Sequence, residues 1–456
     1  MILKMILIIL VAFSACLVGG TKGAPPPRPT ASQLMWSRAE VGAMFTYNLA
    51  TSAGTQGCND GKNPPAPHLF KPTAFDAEEW VKAVRAMNAS YVVFVVKHGC
   101  GFTLWDTKTK LPDGSAYAYS VKRETTASRD LVHEFAAACK KHGIGFGLYY
   151  SVVTNAYLNV AQGKVRGNAV PPQISVTQNE YFDIVLSQLH ELWTEFGDLF
   201  EIWFDGGYQE ALKTNITEML QRYQPNAAAF GGIGVSKNPV RWIGTEAGRS
   251  PKDTWSTTNS PTGAGQRNGS LFAPAEADTT LQQQDQWFFN PHVEPRTLAD
   301  LQSVYAQTVG HNTQLLLNIA PMPNGSIPEA AMKRYQEFGD WIRECFGNAH
   351  QIAATSGTAN NSLVLSMPKG GRTVGRIVIE EDQTSGQLID MFQVWGEPEK
   401  YPGTWQPLGQ GQSIGNKRII EVPDSFRSLA FTSLKLIIAS PNGSAGIRQL
   451  AAFSDC

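Results

Sequence analysis

Three apolar runs that stop on polar side chains constrain this 456-residue chain more than any other feature. Residues 91–101 (YVVFVVKHGCG) run into Lys97 and His98, residues 199–205 (LFEIWFD) stop on Asp205, and residues 241–248 (RWIGTEAG) carry Glu246. Continuous Val/Ile/Leu/Phe runs read as strands buried on both faces, which belong to parallel sheets covered by helices. The ends of such strands are where barrel enzymes hold their reactive groups. Two carboxylates at two strand ends, beside aromatic residues, point to acid/base chemistry on a sugar.

The pattern around these runs is a repeated strand–helix alternation. Strands are predicted at residues 42–48, 91–97, 144–150, 199–205, 227–230, 240–246 and 314–319. Helices are predicted at 78–88, with Asp76 as its cap, and at 129–142, 178–196, 216–223, 297–310 and 328–345. Such units argue for an α/β fold of (β/α) TIM-like barrel type over residues 32–346. After residue 350 the helices stop. Short alternating stretches at 362–367, 376–381, 387–395, 419–422 and 435–438, broken by Gly, Pro, Asn and Ser, predict a C-terminal antiparallel β-sandwich over residues 350–456. The length suits a barrel plus a second domain.

Lys4 precedes an apolar stretch at residues 5–18, followed by Gly19, Gly20, Gly23, Ala24 and a Pro25-Pro26-Pro27 run. That order reads as a secretory signal peptide over residues 1–24, or else as an anchor that stays attached. No later segment is apolar enough to span a bilayer, so no membrane association is expected once the signal is removed. Six Asn-x-Ser/Thr sequons (Asn88, Asn215, Asn268, Asn324, Asn360, Asn442) fit a glycosylated secretory product. Of six cysteines, Cys16 leaves with the signal. The five that remain (Cys58, Cys100, Cys139, Cys345, Cys456) imply at least one that is free or paired between chains. The charge balance, 38 basic against 39 acidic residues, leaves no basic block for nucleic acid.

Each candidate site residue also has a bland reading. Asp205 could be a strand-end helix cap, although Trp203 before it and Gly206-Gly207 after it leave room for a ligand. Glu246 could pair with Arg241. His98 could be a satisfied core histidine, but Lys97, Gly99 and Gly101 make poor core company, and a hydroxyl-binding role is open to it. Trp105 could cover the barrel rim. Other signals fail outright. The glycines of residues 143–147 open no helix N-terminus, and those of 231–234 lack a dinucleotide frame. HExxH, CxxC and GxSxG are absent and the eight histidines show no ligand spacing, so neither a metal nor another cofactor is expected.

Taken in order, KHGCGFTLWDT, GIGFGLYYS, EIWFDGG, RWIGTEAG, PAEADTT and TVGHNTQLLLNIAP resemble the retaining alpha-L-fucosidases of glycoside hydrolase family 29 over residues 32–345. RWIGTEAG and PAEADTT are more similar to the branch that prefers α-1,3/1,4 linkages. The resemblance implies a secreted exoglycosidase acting on a fucosylated oligosaccharide or glycoprotein glycan. Asp205 would be its nucleophile and Glu246 its general acid/base. His98 would hold fucose hydroxyls, Tyr149 and Trp203 would line the pocket, and Trp105, Tyr47 and Arg241 would flank it. Glu276 would bind a neighbouring galactose or, in another alignment, serve as the acid. Three departures stand out: Phe45-Thr46-Tyr47-Asn48 replaces a usual His, Gly99-Cys100 follows His98, and LQQQDQWFF follows PAEADTT. A retaining hydrolase needs one ionised and one protonated carboxyl about 5–5.5 Å apart. A fucose-binding protein without turnover, or another retaining exoglycosidase, is the alternative.

Overall fold

The computed structural model describes residues 25–58, 60–121, 129–441 and 443–456. The expected signal peptide and the sequon Asn442 lie outside the described residues. Eight parallel strands close into a barrel: β1 (Val41–Phe45), β2 (Tyr91–Lys97), β3 (Gly145–Ser151), β4 (Glu201–Asp205), β5 (Ala228–Phe230), β6 (Pro239–Trp242), β7 (Ala275–Thr279) and β8 (Thr313–Ile319). Each strand pairs with its successor, and β8 returns to pair β1, so the sheet has no edge. Helices α1 (Ala31–Ala39), α2 (Ala77–Ala86), α3 (Leu131–Lys141), α4 (Gln178–Glu195), α5 (Lys213–Tyr223), α6 (Leu298–Gln307) and α7 (Glu329–Cys345) accompany it. Their starts follow side-chain chemistry. Asp76 accepts the backbone N–H groups of Glu78 and Glu79 at α2, and Thr177 and Glu180 form a reciprocal capping box at α4.

The seven strands read from the sequence are present, and the structure adds an eighth. β7, the segment AEADT, escaped because it lacks an apolar run, yet all five of its residues are buried. Its alternation puts Glu276 and Asp278 on one face and the small Ala275 and Ala277 on the other. β6 is shorter than expected. It ends at Trp242, so Glu246 stands on the loop beyond the strand. Among the described residues no helix follows β5 or β6.

The second domain occupies part of that gap. Strands β9 (Gln351–Ala359), β10 (Ser362–Ser366), β11 (Arg376–Glu381), β12 (Met391–Pro398), β13 (Gln406–Gly411), β14 (Arg418–Glu421), β15 (Ala430–Ala439) and β16 (Ala445–Phe453) form two antiparallel sheets, β9-β16-β11-β14 and β10-β15-β12-β13. Leu365, Val394, Leu434, Ile379 and Leu450 fill the space between them. The other face of the first sheet gives Val378, Ile419, Ala451 and Phe453 to the barrel's outer core. Ser256, on the β6–β7 connection, donates its N–H to Gln387 at 2.6 Å, and Asp253 accepts from the Gln412 N–H at 2.8 Å. A Cys345–Cys456 disulfide ties the end of α7 to the last residue of the chain, a second joins Cys58 to Cys100, and Cys139 is free and buried.

Barrel closure sorts side chains by parity. Met44, Tyr91, Val93, Val95, Tyr149, Trp203, Phe230, Val240 and Leu316 pack together inside the ring, while Phe45, Phe94, Phe146 and Leu317 join the core under the helices. Gly42 is required by this interior. A Cβ there would stand 2.2 Å from Cζ of the Tyr91 ring, which crosses the glycine. Overpacking of this kind costs about 1–3 kcal/mol. Gly42→Ala should therefore lower the midpoint of urea unfolding, and an unchanged midpoint would mean the ring has room to move.

Candidate active site

A cavity of about 280 Å³ opens at the C-terminal mouth of the barrel. It is built from the ends of β1 (Met44, then Thr46), β2 (Val95, then His98), β3 (Tyr149), β4 (Trp203, Asp205) and β7 (Asp278), with Gln56, Val153, Thr154, Glu246 and Trp287 added from loops. This is the face on which parallel barrels carry their chemistry. Drug-sized ligands occupy pockets of about 300–1,000 Å³, so this space suits one sugar ring with its linkage leaving through the mouth.

Parity and one irregularity decide who enters. Between Val95 and Lys97 the β2–β3 register shifts, so Lys97 pairs with the outward Tyr150 and His98 turns inward. Lys97 is buried outside the cavity. Its ammonium donates to the carbonyls of Ser151 and, at 2.9 Å, Thr154, and lies 4.6 Å from the Tyr150 ring centre. Burial pulls its pKa down to about 7. Inside, the in-register residues Tyr149, Trp203 and Phe230 stack across three strands, with centroids 5.2 and 3.9 Å apart, and His98 extends the row 5.8 Å from Tyr149. Phe288 meets the His98 ring edge-on at 5.0 Å.

Each cavity carboxyl is held by one aromatic donor. Tyr149 donates its hydroxyl to Asp205 Oδ2. Trp287 Nε1 donates to Glu246 Oε2 at 2.8 Å, and Trp242 Nε1 to Asp278 Oδ1 at 2.6 Å. Asn318 fixes the Trp287 strap by donating to its carbonyl at 2.7 Å, and Gln56 exchanges two hydrogen bonds with the Phe288 backbone. Exposure separates the carboxyls. Glu246 is exposed, Asp205 half-buried and Asp278 buried. Burial first, then the Glu276 and Glu246 charges, push Asp278 up to about 8, while its bond from Trp242 works the other way. Asp278 therefore carries its proton at neutral pH.

Five of the nine residues expected at the site line the cavity: Asp205, Glu246, His98, Tyr149 and Trp203. The other four expectations are corrected by the fold. Tyr47 shares the outward parity of Phe45, packs on Phe70 and Trp80, and donates to the Pro323 carbonyl at 3.0 Å. Trp105 is drawn off by Glu191 on α4, which accepts its indole N–H at 2.7 Å together with the Thr107 hydroxyl. Arg241 lies between the inward Val240 and Trp242 and so points out. Its guanidinium donates to the carbonyls of Gly263 (2.9 Å), Ala273 and Trp255, and it does not pair with Glu246. Glu276 faces inward but one layer too deep. It is fully buried, accepts from Trp203 Nε1 at 2.8 Å and Tyr91 Oη at 2.9 Å, and lines no part of the cavity. Sequence reasoning missed Asp278 and Trp287. The spacing of Asp278 from Glu276 by two residues was the available signal, and Trp287 lies in the segment that departs from the family pattern.

The chain matches the family model described as alpha-L-fucosidase over residues 32–345. The chain belongs to the alpha-L-fucosidase family. Among curated relatives, alpha-L-fucosidase 1 of Arabidopsis thaliana is 27% identical over 94% of this chain and 88% of its own length. The human plasma alpha-L-fucosidase is 24% identical over 78% and 73%. A crystal structure of a Bacteroides thetaiotaomicron protein superposes with a TM-score of 0.80 at 28% identity, covering 94% of this chain and all of that one. A glycoside hydrolase 29 family member from an unknown rumen bacterium gives 0.76 at 26% identity, covering 94% of this chain and 78% of that one. The enzyme is thus an alpha-L-fucosidase, a glycoside hydrolase that releases fucose.

His98 is a pH-sensitive member of the enzyme's pocket. Burial, reinforced by the Lys97 charge and opposed by Asp205, lowers its pKa to about 4, and its Nδ1 is buried without a hydrogen-bond partner among the described residues. Unfolded, the same ring titrates near 6.5. Between those values only the unfolded chain holds the proton, so this residue's contribution is full above about pH 6.5 and declines as pH falls toward 4. NMR titration should show a neutral His98 ring down to about pH 5. Loss of that proton near pH 6.5 in the folded enzyme would contradict the buried, desolvated setting.

Proposed function

We propose that the enzyme removes terminal α-L-fucose by double displacement, with Asp205 as nucleophile and Glu246 as general acid/base. What carries this reading is one carboxylate at the end of β4, set by the Tyr149 hydroxyl, facing a cavity that also holds a carboxyl at its open rim. Asp205 attacks the anomeric carbon as the bond to the aglycone oxygen breaks, and Glu246 gives that oxygen its proton. Water then attacks the fucosyl–Asp205 ester, loses a proton to Glu246, and releases fucose with retained configuration. The neutral His98 imidazole suits a hydroxyl contact, and the Tyr149–Trp203 wall suits the apolar face of the ring. A Ruminococcus gnavus fucosidase of the same fold was solved with fucose bound, at 22% identity, a TM-score of 0.76 and coverage of 96% and 97%.

The preference for α-1,3/1,4 linkages belongs to the same proposal. It is supported by the RWIGTEAG and PAEADTT segments and by the exposed position of Glu246, which leaves space for a branched aglycone. Secretion does too. The N-terminal apolar segment, the two disulfides and the exposure of the five described sequon asparagines support an oxidising, glycosylating route.

Asp205→Ala should lower turnover of nitrophenyl fucoside by at least about a thousandfold, on the scale of nucleophile loss in other hydrolases. Added azide should restore part of the rate and give the inverted fucosyl azide. Near-normal turnover without azide would remove Asp205 from the mechanism.

One observation favours a second proton donor: Asp278 lines the same cavity and is held protonated. The two assignments separate by leaving group, because an activated aryl fucoside departs without a proton whereas a natural trisaccharide needs one. Glu246→Ala should spare the first fucosylation step of the aryl substrate and cut trisaccharide hydrolysis by about 10²–10⁴-fold. If Asp278→Asn shows that selectivity and Glu246→Ala does not, the acid is Asp278.

A further inference from the structure

The floor of the barrel holds a carboxyl group that the reaction as described does not use. Glu276 is fully buried one layer beneath the cavity, beside the equally buried Glu201, whose carboxyl oxygens meet no donor in hydrogen-bond geometry among the described residues. Beyond burial, the groups that act on Glu201 are the Glu276 carboxyl, which raises its pKa, and the Trp36 indole, which lowers it. Such a pair of carboxyls is costly to keep out of water, and an apolar pair of the same shape would fill the floor at lower cost. Core packing alone therefore gives no reason for Glu276.

Its bonds do. Oε1 accepts the indole N–H of Trp203 at 2.8 Å, and Oε2 accepts the Tyr91 hydroxyl at 2.9 Å from across the barrel. Trp203 lines the cavity and stacks on Tyr149, and Tyr149 donates to Asp205. Three links thus join the floor to the carboxylate at the mouth, every one a hydrogen bond or a ring stack. Gly42 keeps the far anchor in place, since any side chain there would expel the Tyr91 ring.

We infer that Glu276 is a positioning residue of this enzyme: from the barrel floor it fixes the indole of Trp203, and through it the Tyr149 hydroxyl that orients Asp205. The inference rests on Asp205 as the nucleophile. A nucleophile displaced by a fraction of an ångström loses its line to the anomeric carbon while the sugar still binds, so kcat carries the effect.

The test is a double-mutant cycle on the full chain with an aryl fucoside, using Glu276→Leu, Glu276→Gln and Tyr149→Phe. Glu276→Leu removes both acceptors and should lower kcat by on the order of tenfold with KM nearly unchanged, the size of a coupling of about 1.4 kcal/mol. Glu276→Gln keeps an amide oxygen for Trp203 and should recover most of that loss. In the Tyr149→Phe background, Glu276→Leu should add little, because the link it acts through is already cut. Equal fold-losses in both backgrounds would overturn the inference, as would unchanged kcat in folded Glu276→Leu. If Glu276→Leu does not fold, Tyr91→Phe replaces it in the cycle. That variant deletes one hydroxyl outside the cavity, is expected to show the same non-additivity, and overturns the inference by the same criteria. Azide rescue of Asp205→Ala keeps the two readings apart. Rescue with an additive cycle removes only the role of Glu276, whereas an active, azide-indifferent Asp205→Ala removes the nucleophile beneath it.

Discussion

Barrel closure with a two-residue alternation, interrupted near the end of β2, is the constraint on which the rest of this enzyme depends. Once the eight strands close, every second side chain enters one shared interior and its neighbours go to the helices. On β4 this sends Ile202 and Phe204 outward and delivers Trp203 and Asp205 to the same column, one above the other. On β7 it stacks Asp278 over Glu276. The site is the upper layer of a core whose lower layer includes Tyr91, Glu201 and Glu276, so the chemistry and the packing share strands and hydrogen bonds.

The same alternation explains what was legible in the sequence. β2 and β8 announce themselves because Val, Leu and Ile occupy both parities, and α2 and α4 because their caps and apolar spacing are local. β7 was illegible because its inward positions are acidic and its outward ones are alanines, which reads as a loop until the barrel supplies partners for both carboxyls. Tyr47 and Arg241 were misassigned for one reason. They neighbour site residues in the chain, yet their parity sends them to the opposite side of the wall. His98 shows the converse. Only the register shift at residue 96 turns it inward, and no local composition encodes that shift.

Rim geometry depends on contacts far apart in the chain. Gln56 binds the Phe288 backbone 232 residues away, Asn318 holds Trp287, and the Cys58–Cys100 bond fastens the loop after β1 to the loop after β2 beside His98. In the strip where, among the described residues, no helix follows β5 or β6, the segment of residues 243–274 is anchored by the outward Arg241 guanidinium and tied to the sandwich domain through Ser256–Gln387 and Asp253–Gln412. A charged residue expected to flank the sugar therefore builds the wall that a helix would otherwise provide. Five donors in a planar fork reach loop carbonyls spread over a wider span than the three donors of a lysine ammonium.

The carboxyls of the interior are controlled mainly by depth and by aromatic donors. No cation lies among the residues that line the cavity, so no ion pair there fixes their charge. An indole or phenol hydrogen bond orients one oxygen of a carboxyl without neutralising it, and the dielectric around it then decides whether it keeps a proton. Deep in the barrel burial favours the protonated form, raising Asp278, Glu201 and Glu276 above the ordinary carboxyl range. At the rim Glu246 meets solvent, where a group that must exchange a proton with an arriving water and a departing sugar has to stand. Asp205 lies between, half-exposed and gripped by Tyr149, open to the sugar yet shielded from bulk water. The vertical order of the barrel thus supplies a graded set of carboxyl environments, and the division of labour proposed for them follows from where each strand ends.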